Sequence, residues 1–107
     1  MTILRIKKKE FDLIKSGVKR TEWREPSKYN KKMLFAPREK DSKLDSNKDI
    51  KEITFINGYR ADSGRLTVEI KGIRLVKFIN DVDIPDDNFK ALSGQFAIEI
   101  KLGEIIC

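Results

Sequence analysis

The sequence predicts an α+β, mostly β domain, a small and mostly antiparallel β-barrel of about five or six strands flanked by one to three short helices. Three observations carry this. Phe96, Ile98, Ile100 and Leu102 alternate with Ala97, Glu99 and Lys101, the pattern of a strand with one buried face. Leu66, Val68 and Ile70 alternate in the same way up to Gly72, after which apolar residues resume through Phe78, and a long strand bent at a glycine is typical of a closed barrel. Helical spacing, by contrast, gathers early in the chain.

Taken in order, residues 2–7 form a first strand through Ile3, Leu4 and Ile6. Residues 8–16 read as a helix, with Phe11 and Ile14 three apart, Leu13 beside them, and Gly17 where a left-handed residue ends the element. Lys15 suits the negative end of its dipole. Residues 20–24 alternate as a strand, with Thr21 and Trp23 on one face and Arg20, Glu22 and Arg24 on the other. Trp23, the single tryptophan, is placed in the core. Pro26 opens a second helix carrying Tyr29, Met33 and Leu34 through Phe35, while Lys28, Lys31 and Lys32 form a solvated or phosphate-facing side.

Residues 36–48 are polar and charged and read as a mobile loop. Ile53, Thr54, Phe55 and Ile56 make a buried strand ending in Asn57-Gly58-Tyr59; the hairpin turn is expected at Asp62-Ser63-Gly64, with Gly58 marking a bulge or a close backbone approach. The acidic stretch 80–94 around Pro85 is expected as loop, with a short helical turn at 88–92.

The chain's 107 residues suit a single domain. A net charge of +6 draws anionic partners or simply serves solubility. The sequence has no histidine, which removes histidine metal sites, Ser-His-Asp and Cys-His pairs, and histidine general bases. Its only cysteine, Cys107, forms no internal disulfide and fits a reducing compartment. With no apolar run of spanning length, and with Lys7, Lys8 and Lys9 interrupting any leader, a cytoplasmic protein is expected, without metal or cofactor.

Residues 17–24, Gly-Val-Lys-Arg-Thr-Glu-Trp-Arg, resemble the G-x-K-x-x-E-x-R motif of ASCH domains at every fixed position. ASCH domains are similar in fold to PUA domains. The helix before Gly17, the strand ending in Asn57-Gly58-Tyr59, the strand around Val68 to Ile73 and the closing segment 96–106 extend the resemblance over most of the chain. It implies a PUA-like barrel with a cleft where the motif strand meets the helices, lined by Lys19, Glu22 and Arg24. Glu22 and Arg24 share a strand face about 7 Å apart, close enough for an ion pair or a joint grip on a ligand. Lys19 has the opposite parity and joins them only where the chain bends. Asn57 and Tyr59 complete the expected ligand contacts.

Three functions follow. The first is binding of RNA or a nucleotide, with Lys19, Arg24 and nearby lysines on phosphate, Glu22 orienting Arg24 or accepting from a base edge, and Tyr59 stacking on a base. The second is a small hydrolase acting on a modified nucleoside or RNA, as in ASCH-type amidohydrolases that use a lysine, a threonine and a glutamate. Lys19 and Glu22 would then be catalytic, but Glu22 stands where that group has its threonine, and Thr21 faces away. The third is a protein-interaction domain.

Overall fold

The computed structural model describes residues 2–35, 50–58, 64–84 and 89–106. The loop expected at 36–48 and Tyr59 lie outside them. The elements are β1 (Ile3–Ile6), α1 (Lys8–Lys15), β2 (Thr21–Arg24), α2 (Lys28–Leu34), β3 (Glu52–Asn57), β4 (Arg65–Lys77), β5 (Val82–Ile84), β6 (Phe89–Ala91) and β7 (Phe96–Ile105). Five strands form one curled sheet in the order β1-β3-β4-β7-β2. The result is a mostly β α+β fold whose sheet is a half-barrel, with β1 and β2 as its outer strands, and the closed ladder expected from the bent strand is replaced by a seam between them.

The local reasons are visible in the residues. Gly17 takes φ +81° after α1, and the turn it makes lets the Gly17 and Lys19 amides donate to the carbonyls of Ile14 and Leu13, both at 3.0 Å. Ser27 caps α2, its hydroxyl accepting from the Asn30 amide at 3.1 Å. Ser27→Ala should cost about 1 kcal/mol in chemical unfolding, the usual loss for such a cap. β1 runs parallel to β3, which requires the long connection through α1, β2 and α2, whereas the other pairs are antiparallel.

The concave face of the half-barrel holds the core. Leu4, Ile6, Phe11, Ile14, Phe55, Val68, Ile98 and Ile100 belong to one buried cluster. β4 bends as the sequence implies, with register shifts between Val68 and Ile70 and between Ile70 and Gly72.

Two expectations need correcting. Phe89–Ala91 is a strand paired with Val82–Ile84, so the helical turn expected at 88–92 is part of a hairpin instead. Trp23 is half-buried on the convex face, its ring 5.4 Å from that of Phe78 and packed with Ala91 and Ala97. Both faces of β7 are covered at this point, and the covering of the second face turns the alternation of β2 over: its charged side, rather than its tryptophan, points into the main core.

Among the described residues, no helix is long and apolar enough to cross a membrane.

Candidate functional site

β2 pairs with β7 so that Glu22 lies opposite Ile100 and Arg24 opposite Ile98, two members of the main core. The register therefore drives both charged side chains inward. Lys19 joins them because β2 begins only at Thr21, so strand alternation does not extend back to it; the turn after Gly17 swings it round.

The Lys19 ammonium donates to Glu22 Oε1 at 2.6 Å, and Arg24 Nε donates to Glu22 Oε2 at 2.7 Å. The side chains of Lys19 and Glu22 are 3% and 4% exposed, and that of Arg24 is 18% exposed. An isolated ion at such depth costs several kcal/mol, and short charge-assisted bonds to both carboxylate oxygens are what make this burial tolerable. Glu22 thus gives one carboxylate oxygen to each cation.

Arg24 reaches further. Its Nη2 donates to the Arg5 carbonyl at 3.0 Å. The Thr2 carbonyl accepts from Thr54 of β3 and the Ile6 carbonyl from Gly58 just after it, so by strand alternation that of Arg5 points out of the ladder toward the seam. The guanidinium thus bridges β2 to the outer side of β1, which among the described residues carries no strand.

On the Lys19 side of the cluster lies a cavity of about 230 Å³. Ile14, Val68 and Leu102 give it apolar walls, and Lys19, Arg20 and Glu104 give it charged ones, with Gly17 and Gly103 also lining it. It is shaped by a bulge. Between the pairs Val68↔Ile105 and Ile70↔Leu102, β7 places Gly103 and Glu104 against the single residue Glu69 of β4. A Cβ at Gly103 would meet the Glu69 carboxylate, the far end of an exposed side chain that would have to move aside.

The expected site residues therefore separate by role. Lys19 lines the cavity, Glu22 stands behind it as the shared counter-ion, and Arg24 points to the seam. Asn57 is on the concave side at the end of β3, paired with Ile6 and so one residue from the carbonyl that Arg24 holds, but it does not line the cavity. Tyr59 is outside the described residues. Arg20 and Glu104 are cavity residues that the motif does not mark. Arg20 sits between two fixed motif positions, and its exposed charge was the available signal; Glu104 depends on the bulge, which no spacing reveals.

Two other ionisable groups stand apart. The Arg74 guanidinium on the convex face is held above its ordinary range by its hydrogen bond to Glu99, 2.6 Å long. Glu10, in the first turn of α1, is buried, and its Oε2 has no hydrogen-bond partner among the described residues.

No family model, curated protein or solved structure matches the chain. The class that fold and site define is a curled, mostly β half-barrel with a buried Lys-Glu-Arg cluster beside a concave cavity.

Proposed function

We propose that this chain is a cytoplasmic ASCH-type nucleic-acid-binding module with a PUA-like fold, which takes one nucleotide of an RNA strand into the cavity beside Lys19. The carrying observation is the cavity's composition, apolar walls of Ile14, Val68 and Leu102 with Lys19, Arg20 and Glu104 at the charged side. Apolar surface takes the faces of a base, and Arg20, the exposed cation of the lining, takes its phosphate. At about 230 Å³ the cavity is smaller than the roughly 300–1,000 Å³ of drug-sized sites, which suits the base of a nucleotide with its phosphate at the mouth.

Glu22 has one oxygen on Lys19 and the other on Arg24. That occupancy suits a positioning counter-ion better than a general base, and Thr21 lies on the opposite face of β2, so binding is favoured over the hydrolase reading.

Arg20 is the residue to test, because it is exposed and its loss leaves the buried cluster intact. Arg20→Ala should weaken binding of uridine monophosphate or short single-stranded RNA by about 1.5–3 kcal/mol, roughly 10- to 150-fold. Fluorescence anisotropy against a labelled strand reads this directly. Unchanged affinity in the variant, or no binding by the native protein, would reject the proposal, and turnover of an acylated cytidine abolished by Lys19→Ala would favour the hydrolase.

A further inference from the structure

The convex face of the sheet carries a row that the chain order hides. Arg5 is in register with Ile56 on β3, and Ile56 is in register with Arg65 on β4. Strand neighbours in register share a face, so two exposed arginines flank one isoleucine, itself only 3% exposed, on the side away from the main core. Two strand spacings put the arginines about 10 Å apart. On the same face the next pair in register is Thr54 and Thr67, their hydroxyls 2.9 Å apart, and beyond them Glu52 faces Glu69. Along β3 and β4 the row therefore runs from the two arginines to the two glutamates. The Arg5 guanidinium is steadied there by its 3.0 Å bond to the Gly58 carbonyl.

The row is also connected to the cavity. β7 ends at Ile105, opposite Val68, and the Ile106 amide donates to the Thr67 carbonyl, the last contact with β4 among the described residues. Arg65 lies beyond that ladder, three residues along β4 from Val68, which is about 10 Å. A strand leaving the cavity past the end of β7 meets Arg65 first and Arg5 next.

We infer that Arg5 and Arg65 form a second contact for the phosphodiester backbone of a single-stranded RNA, continuing around the end of β4 from the nucleotide in the cavity. Arginine suits the role, since its planar fork matches phosphate oxygens. The single-stranded form rests on the reading above, because only an unstacked base enters a cavity.

The test compares oligouridylate with uridine monophosphate across a range of salt concentrations. In Arg5→Ala/Arg65→Ala, the slope of log affinity against log salt for oligouridylate should become shallower by about 1.4, the effect of two lost phosphate contacts on a single strand, while monophosphate affinity is unchanged. Arg65→Ala alone, which leaves the Arg5 bond to Gly58 in place, should change the slope by about half as much. Lys28→Ala/Lys31→Ala removes the same charge from α2 and should leave the slope as it is. A wild-type slope in the arginine double variant, an equal change in the lysine variant, or native protein that does not bind oligouridylate would overturn the inference. If the monophosphate fails to bind while the arginine-dependent slope persists, the cavity reading falls and the arginine row stands.

Discussion

Glu22→Leu should lower the free energy of unfolding by about 3–5 kcal/mol, because it strands Lys19 and Arg24 without their shared counter-ion. The side chain of Lys19 is 3% exposed, so its ammonium cannot turn to water without opening the structure around it. Lys19→Met/Glu22→Leu should cost less than Glu22→Leu alone. It removes one cation with the anion, and Arg24, more exposed, keeps its bond to the Arg5 carbonyl. Urea unfolding of the two variants measures the difference. If the double variant is the weaker of the two, Glu22 is not acting mainly as a counter-ion. Lys19→Ala and Arg24→Ala alter this same cluster, so each changes the fold as well as the charge presented to a ligand.

Phe55→Ala should cost a similar amount, about 3–5 kcal/mol, for a different reason. Phe55 has no exposure, and it lies on the concave face of the central strands, where truncation leaves a cavity that its strand neighbours cannot close. Thermal or urea unfolding gives the magnitude; a loss below about 1 kcal/mol would mean that the half-barrel collapses readily around the gap.

The parts of the fold legible in the sequence are those fixed by short-range pattern. Phe11, Ile14 and Gly17 mark α1 and its end, the alternation from Phe96 marks β7, and Gly72 marks the irregular stretch of β4. What was hidden depends on partners distant in sequence. Alternation in β2 separates Trp23 from Glu22, yet which face is interior is decided by register with Ile98 and Ile100, about 75 residues further on. Val82–Ile84 and Phe89–Ala91 are too short, and too interrupted by Pro85 and acidic residues, to stand out as a hairpin. For the site, the motif indicated Lys19, Glu22 and Arg24 together, and they do converge. It did not indicate that Arg24 would bridge to β1, nor that Arg20 and Glu104 would line the cavity, because the seam and the bulge arise only when the sheet curls.

The central claim is that the cavity beside the Lys19–Glu22 pair is where a nucleotide binds. Amide chemical shifts recorded while uridine monophosphate is added test it most directly. Saturable changes concentrated at Gly17, Arg20, Gly103 and Glu104, and lost in Arg20→Ala, are the expected result; changes confined to the β5–β6 hairpin or the Trp23 face, or no saturable change anywhere, would contradict it.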